Sequence, residues 1–343
     1  MTNRAFDFLV FIGRFQPIHN GHAAMLRQAL ARAPRVVVVL GSAHSARTVR
    51  NPFTAAERIA LIRSAMGDLA ERLVFVEMRD YFNIARWATG VRRAVAAAVP
   101  VDASVGLFGH FKDASSGYLR DFPDWPLVEV GNVDGISAAD LRKPWFESGG
   151  STAGLEDRLA APVLQFMTEF AGTEAFSRLR AEYDYLEGYK AAWRQAPYAP
   201  IFVTVDAVVT CCDHVLLVQR GGQPGAGCWA LPGGFLDQRE QVAAASLREL
   251  HEETRLAVPV EELQAAVRGQ ALFDHPDRSS RGRTLTHAFH YALDRTELPA
   301  IEADDDAAAA VWVPIAQLLA MEDQFHDDHF MILDRFLGLL PTE

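Results

Sequence analysis

Three carboxylates stand close together in the second half of this 343-residue sequence, at Glu249, Glu252 and Glu253. The alanine- and leucine-rich run around them favours a helix, in which each residue turns by about 100°. The three glutamates then share one face, within an arc of about 100°. Such close carboxylates repel one another, and a divalent cation that prefers hard oxygen ligands reverses this repulsion. We therefore predict a site for Mg²⁺ or Mn²⁺ on this helix.

The residues before these carboxylates complete a pattern. A glycine turn, Pro232-Gly233-Gly234, precedes a helix predicted over 242–253, and the guanidinium of Arg248 can hold a neighbouring carboxylate. The pattern is Gly234, five residues, Glu240, seven residues and then Arg248-Glu249-Leu250-His251-Glu252-Glu253. It resembles the box of the Nudix hydrolases, which cleave nucleoside diphosphates linked to another group.

The Nudix resemblance assigns roles to the box residues. It implies that Glu249 and Glu253 are metal ligands and that Glu252 is a further ligand or a base. In the family the cation activates water for attack on a phosphorus atom. Glu240 is expected to support the loop rather than the metal. The family usually has glycine where this chain has Arg255, a difference that concerns the end of the helix.

A histidine pair near the N-terminus, His19 and His22, is the second set of residues suited to chemistry. Residues 6–12 predict a buried strand, 23–33 a helix and 35–40 another buried strand. Strand, glycine turn, helix and strand indicate a parallel α/β sheet, in which ligands bind at the carboxyl ends of the strands. Histidines three residues apart at a helix start can face one ligand, where free amides attract phosphate.

The turn at residues 13–22 resembles the His-x-Gly-His motif of the nucleotidyltransferase superfamily, whose members transfer a nucleotidyl group from a nucleoside triphosphate. The resemblance implies that His19 and His22 stabilise the triphosphate as pyrophosphate leaves. It also places the residues at the start of the turn against the substrate: Gly13, Arg14 and Phe15.

A second signature of that superfamily fits residues 135–142. It is a serine-containing turn before a helix, with an arginine one turn further on. Ser137 can cap the helix and Arg142 can reach a phosphate. The family usually has threonine at the position of Ala139, so one hydroxyl contact differs here.

The segments between the two signatures should select the acceptor. Residues 41–58, GSAHSARTVRNPFTAAER, resemble most specifically the archaeal-type nicotinamide mononucleotide (NMN) adenylyltransferases, a resemblance that covers about residues 6–165. It implies that Arg47, like the arginine of the second signature, meets a phosphate and that Asp80 and Trp87 lie near the nicotinamide ribonucleotide. An aromatic ring attracts a cationic pyridinium. A polar stretch at 109–118 is a further candidate.

Downstream of the box, residues 274–283 are similar to the ADP-ribose pyrophosphatase branch of Nudix proteins. Arg281 and Arg283 in this glycine-containing loop can hold a diphosphate or a ribose, although an ordinary solvated loop is the alternative. The acidic stretch 302–306 is expected to be a solvated loop rather than a second metal site.

Both halves together resemble the bifunctional NMN adenylyltransferase/Nudix hydrolase proteins over nearly the whole chain. The predicted fold class is α/β, with an N-terminal Rossmann-like parallel sheet and a C-terminal α+β Nudix sandwich. We predict a nucleotidyltransferase domain at 1–172, a helical linker at 173–197 and a Nudix domain at 198–343. In the linker, apolar residues recur at spacings of three and four, and Pro197 ends the helical pattern.

Composition excludes several classes of protein. Residues 1–172 carry 19 basic and 17 acidic side chains and residues 173–343 carry 14 and 27, so the second half is strongly acidic and does not suit nucleic acid. Three cysteines, Cys211, Cys212 and Cys228, form neither a disulfide framework nor a zinc spacing. No signal peptide or long apolar run is recognisable, so we expect a cytoplasmic protein without membrane contact.

The resemblances imply a two-headed enzyme of NAD metabolism with ATP, NMN, NAD and ADP-ribose as its ligands. The first head would join NMN and ATP into NAD and pyrophosphate, and the second would hydrolyse ADP-ribose to AMP and ribose 5-phosphate. One alternative is a second domain that only senses ADP-ribose or NAD. Another is a different acceptor, such as nicotinate mononucleotide, phosphopantetheine or FMN. The oligomeric state stays open, a homo-oligomer included.

Overall fold

The computed structural model describes residues 5–109, 114–131 and 135–341, without the side chains of 114–116. Residues 110–113 of the polar stretch predicted to contact the acceptor therefore lie outside the described residues. The chain forms two compact units, with the division between Arg180 and Ala181. This division falls inside the predicted linker, and each unit is described by itself.

The first unit contains a parallel sheet, as predicted. Its strands are β1 (Phe8–Gly13), β2 (Arg35–Leu40), β3 (Leu73–Glu77), β4 (Val105–Gly109) and β5 (Leu127–Glu129). Their order in the sheet is β3-β2-β1-β4-β5. The valine-rich β2 is buried from its second residue onward, because a parallel sheet is covered on both faces.

Helices follow these strands, so helix N-termini with their capping residues lie at the carboxyl edge of the sheet. They are α1 (Asn20–Arg32), α2 (Ala55–Met66), α3 (Ile84–Ala98), α4 (Ala138–Glu147) and α5 (Ala161–Phe170), followed by α6 (Glu174–Ala192). Thr54 and Glu57 form the predicted capping box of α2. Short 3-10 helices span Gly67–Arg72 and Ala114–Asp121.

The second unit is built on a mixed sheet. Its strands are β6 (Ile201–Cys211), β7 (His214–Arg220), β8 (Trp229–Ala230), β9 (Gly233–Phe235), β10 (Val267–Phe273), β11 (Arg283–Ala292) and β12 (Ala307–Pro314). The main path is β10-β11-β6-β7-β12, with β8 on β7 and β9 on β6. Only the β6–β11 pair among these described neighbours is parallel.

Three α-helices accompany this mixed sheet: α7 (Val242–Thr254), α8 (Val260–Ala265) and α9 (His329–Leu337). A 3-10 helix at Ile315–Gln324 precedes α9. Leu250 of α7 packs into a core with Ala207 and Val209 of β6, which fixes the box helix against one face of the sheet. Sheet and helices confirm the predicted fold class.

Two expectations about the rest of the chain can be compared with the structure. The three cysteines are free thiols, as predicted. Within the described residues, no helix combines the length and the apolar character that crossing a bilayer requires.

Candidate functional sites

The two histidines of the first unit meet at the N-terminus of α1. Their rings stack with centroids 3.7 Å apart. His19 is the N-cap of the helix, and its Nδ1 accepts the backbone N–H of His22 at 3.3 Å. The ring of His22 also lies 4.8 Å from the ring of Phe15 in the preceding turn. Both imidazoles therefore lie beside a helix N-terminus that follows β1, where phosphate is favoured.

Three arginines of the first unit lie near one another. Arg142 follows the cap of α4 at Ser137, and its Nη1 donates to the carbonyl of Gln16 at 2.6 Å. Burial, together with the positive charges of Arg14 and Arg50, lowers the pKa of Arg142 to about 10. Neighbouring guanidinium groups favour the binding of phosphate oxygens.

Sequence reasoning selected Arg47 and missed Arg50 in the same segment. Arg47 donates to both carboxylate oxygens of Glu57, at 2.6 and 2.8 Å, and to the carbonyl of Pro52 at 2.7 Å. These bonds fix the loop before α2, and a phosphate role for Arg47 stays a prediction. Arg50 is only three residues further on, but which of two nearby arginines turns towards Arg142 depends on the loop conformation.

Asp80 and Trp87, the predicted acceptor residues, follow β3. The Oδ2 of Asp80 accepts a hydrogen bond from Ser42 Oγ at 2.6 Å, so the turn after β2 orients this carboxylate. Trp87 lies edge-on to the rings of Tyr118, at 5.6 Å, and Phe122, at 5.8 Å. The structure thus places the carboxylate of Asp80 on the segment that joins β3 to α3 and the indole of Trp87 in the first turn of α3.

Arg58 joins the turns at the carboxyl ends of β1 and β2. It is only 1% exposed, and its Nη1 donates to the carbonyls of Arg14 at 2.8 Å and Gly41 at 2.7 Å. Its Nη2 donates to the carbonyl of Ser42 at 3.2 Å. Burial lowers the pKa of Arg58 to about 10, which leaves it protonated at neutral pH. Arg58 belongs to the segment 41–58 that was expected to select the acceptor, but its bonds to the two turns were not predicted, because an arginine in a helix pattern usually faces solvent.

Replacing Arg58 with lysine is expected to lower nucleotidyl transfer about 10- to 100-fold, because a small displacement of positioning groups has effects of this size. A single ammonium cannot reproduce the planar fork that bonds the two turns. The measurement is the steady-state rate of nucleotidyl transfer. The control is Arg63→Lys, at an exposed position of the same helix. Equal rates for the two variants would contradict the role of Arg58.

The glycine turn of the second unit lets two carboxylates approach the backbone. The N–H of Gly233 donates to Oε2 of Glu253 at 3.0 Å. A Cβ at Gly234 would lie 2.5 Å from the carboxylate oxygens of Glu249, so a side chain there would displace this carboxylate. A Cβ at Gly233 would lie 2.2 Å from the backbone carbonyl oxygen of Val205, so close packing of the turn against β6 requires glycine at this position.

Arg248 bonds the box together. It donates to Glu240 at 3.0 and 2.9 Å, to Glu249 at 2.8 Å and to Glu252 at 2.8 Å. It also donates to the carbonyl of Phe235 at 3.2 Å. These bonds confirm that Arg248 holds neighbouring carboxylates. They join Glu240 to Arg248, and a supporting role for Glu240 rather than metal binding stays a prediction. Such a fork offsets the mutual repulsion of the glutamates.

The charge state of the box carboxyls reflects their crowding. Burial, together with a hydrogen-bonding contact with the carboxyl of Asp306, raises the pKa of Glu253 to about 9. Burial also raises the pKa of Glu249. A neighbouring carboxyl disfavours the charged form of Glu253. Asp306 is exposed, as expected for residues 302–306, but its contact with Glu253 was not predicted.

The donor chemistry of the box fits a hard divalent cation. Glu249, Glu252 and Glu253 supply oxygen ligands, the kind that Mg²⁺ and Mn²⁺ prefer. In the described part of the chain, no group of three or more His, Cys, Asp or Glu side chains is arranged to hold a metal ion. Arg248 instead contacts two of the three carboxylates.

Arg255 ends α7 at the position where the Nudix resemblance leads us to expect glycine. It is the C-cap of α7 and adopts a left-handed conformation with φ of 42°, in which its N–H donates to the carbonyl of His251. Glycine adopts this conformation without strain. The side chain of Arg255 pairs with Asp304.

The loop at 274–283 brings one of its two predicted arginines to the box. The guanidinium of Arg281 lies 4.9 Å from the ring centroid of Phe235, which directly follows the glycine turn. Burial lowers the pKa of Arg281. Arg283 donates to the carbonyl of Asp274 and so closes the loop on itself.

Two family models match the chain. The Cytidylyltransferase-like model matches residues 10–98, and the NUDIX domain model matches residues 200–336. The first match contains the histidine pair, and the second contains the whole box with its downstream loop.

Similar proteins agree with both matches. A nicotinamide/nicotinic acid mononucleotide adenylyltransferase from Acinetobacter baylyi is 36% identical over 52% of this chain and 94% of its own length. The crystal structure of a bifunctional NMN adenylyltransferase/ADP ribose pyrophosphatase from Francisella tularensis is 36% identical, with a TM-score of 0.92, and the match covers 97% of this chain and 99% of that one. A second structure of the Francisella protein, complexed with AMP and Mn ion, has a TM-score of 0.90, 35% identity and the same coverage.

Proposed function

Because the chain belongs to the family of bifunctional NMN adenylyltransferase/ADP-ribose pyrophosphatases, we propose that its two units catalyse two separate reactions of NAD metabolism. The first unit transfers the adenylyl group of ATP to NMN and releases NAD and pyrophosphate. The second unit hydrolyses ADP-ribose to AMP and ribose 5-phosphate. The observation that carries this proposal is the presence of two sets of functional side chains in one chain: the histidine pair with its arginines, and the box carboxylates with Arg248.

In the first unit, the protein contributes to the reaction by positioning the two substrates and by neutralising the negative charge of their phosphates. The phosphate of NMN attacks the α-phosphorus of ATP, and the bond to pyrophosphate breaks. His19 and His22 donate to the triphosphate as negative charge develops on the leaving group. Arg14 and Arg142 neutralise further phosphate charge, and the positive charge of Arg50 supports the same role. Asp80 and Trp87 orient the nicotinamide ribonucleotide.

In the second unit, Glu249 and Glu253 would hold a divalent cation, with Glu252 as a further ligand or a base. When bound, Mg²⁺ or Mn²⁺ supplies Lewis acidity at the diphosphate. Glu253 receives the N–H of Gly233, which fixes its orientation towards the turn. Arg281, beside the box, donates to the diphosphate or the ribose of ADP-ribose.

Nicotinate mononucleotide is a second candidate acceptor, because the name of the Acinetobacter relative includes both mononucleotides. The two acceptors differ by an amide or a carboxylate on the same ring.

Chromatography of three incubations with Mg²⁺ tests these proposals. One contains NMN and ATP, one contains nicotinate mononucleotide and ATP, and one contains ADP-ribose. NAD in the first and AMP in the third are the expected products. NAD without AMP would favour a second unit that senses its ligand, and AMP alone would mean that the first unit uses another acceptor.

A further inference from the structure

A buried polar layer lies on the face of the second unit's sheet that faces away from the box helix. Ala207 of β6 packs with Leu250 of α7, so its neighbour Asp206 points to the opposite face. There, Asp206 Oδ2 accepts a hydrogen bond from Thr286 Oγ1 at 2.6 Å. The first residue of α9, His329, is buried in the same layer.

His329 bonds the turn that precedes the box. The backbone N–H of Leu231 donates to Nδ1 of His329 at 2.9 Å, within the protein interior. Because Nδ1 accepts, the neutral ring carries its proton on Nε2. That nitrogen faces Asp206, with 3.9 Å between Nε2 and Oδ1. The carboxylate of Asp206 therefore favours the tautomer with the proton on Nε2. In this tautomer Nδ1 can accept the N–H of Leu231.

The turn at residues 231–233, which His329 bonds, also contains the backbone N–H that orients Glu253, a candidate metal ligand. Leu231 is bonded to His329, and the carbonyl of Pro232 accepts the N–H of Ala207 at 2.8 Å. The next residue, Gly233, donates its N–H to Glu253 at 3.0 Å. Each of the three consecutive residues 231–233 thus has a hydrogen bond to a different part of the unit. The N–H of Gly233, the last of them, holds the carboxylate of Glu253.

We propose that His329 is a positioning residue for the Nudix reaction, acting through Leu231 and Gly233 on the carboxylate of Glu253. This inference rests on the proposed hydrolase function and adds a residue 76 positions beyond Glu253, the last residue of the box pattern. Groups that support ligands in this way typically alter metal affinity or activity 10- to 100-fold when they are replaced.

The charges around His329 keep its ring neutral. Burial lowers its pKa to about 3, with nearby arginines acting in the same direction and Asp328 opposing them. The charged groups that face the ring are Asp206, Arg220, Arg278, Arg281 and Asp328. A neutral ring keeps Nδ1 available as the acceptor for Leu231 across the neutral pH range.

Two substitutions of similar polarity separate positioning from packing. In His329→Asn, the amide oxygen takes the place of Nδ1 and can accept the N–H of Leu231. In His329→Gln, the amide lies at the place of Nε2, so the acceptor for Leu231 is lost. We expect ADP-ribose hydrolysis to stay within about threefold of wild type in the Asn variant and to fall about 10- to 100-fold in the Gln variant. The Mn²⁺ concentration for half-maximal rate should rise in the Gln variant only.

Each assay has an internal control, because NAD synthesis by the same preparation reports on the first unit. His326→Gln provides a matched substitution at a buried histidine three residues earlier. Its hydrolase rate should stay within about threefold of wild type, because its ring contacts that of His329, with centroids 5.6 Å apart, whereas the acceptor for the N–H of Leu231 belongs to His329. Equal rates for the Asn and Gln variants of His329, or an equal loss in His326→Gln, would overturn the inference. A wild-type protein that does not hydrolyse ADP-ribose would overturn the proposed function instead.

Discussion

Replacement of Glu253 with glutamine is expected to abolish ADP-ribose hydrolysis and to leave NAD synthesis unchanged. Glutamine has nearly the same size, and its amide oxygen can still accept the N–H of Gly233, which now bonds Oε2 of Glu253 at 3.0 Å. What it lacks is the negative charge that a hard divalent cation requires from its ligand. Loss of a ligand should exceed the 10- to 100-fold effect of a supporting group, so we expect a decrease of at least about 100-fold.

Both rates are measured on one preparation of the Glu253→Gln protein, with saturating Mg²⁺ or Mn²⁺. The matched control is Glu261→Gln, an exposed carboxylate in the first turn of α8. Undiminished hydrolysis in Glu253→Gln would contradict its role as a ligand. Loss of NAD synthesis as well would contradict the independence of the two active sites.

The sequence predicted those parts of each site that depend on local order. The box, the histidine pair and the capping box of α2 are short segments in which spacing along the chain sets spacing in space. A glycine turn followed by a helix presents its side chains in the same way wherever the segment lies. Arg248 was expected to hold a carboxylate for this reason, and the structure shows its bonds to three of them.

Residues that reach a site from a distant segment were not predicted. Arg58 lies 44 residues from Arg14, and His329 lies 98 residues from Leu231, yet each bonds a turn of a candidate site. Such contacts depend on how helices pack on a sheet, which no local pattern encodes. Asp306 was assigned to a solvated loop on composition, and only the path of the chain before β12 reveals its contact with Glu253.

Substitution of His22 with alanine is expected to have the converse effect, with loss of NAD synthesis and normal ADP-ribose hydrolysis. The ring of His22 stacks on His19 at 3.7 Å and lies beside a helix N-terminus. There it can donate to phosphate oxygens whose charge increases as pyrophosphate leaves. Removal of one such donor typically lowers kcat by about 100- to 1000-fold, and we expect an effect of this size.

A phenylalanine at position 22 distinguishes hydrogen bonding from ring packing. His22→Phe keeps an aromatic ring next to His19 and Phe15, whose ring centroid is 4.8 Å from that of His22, but it offers no N–H. If His22 acts by donating to the triphosphate, the Phe and Ala variants lose NAD synthesis to a similar extent. Substantial activity in the Phe variant would mean that the ring mainly supports the turn. Because pyrophosphate release is measured alongside NAD, ATP hydrolysis without transfer is also detected. The rate of ADP-ribose hydrolysis then shows whether the second unit is intact in both variants.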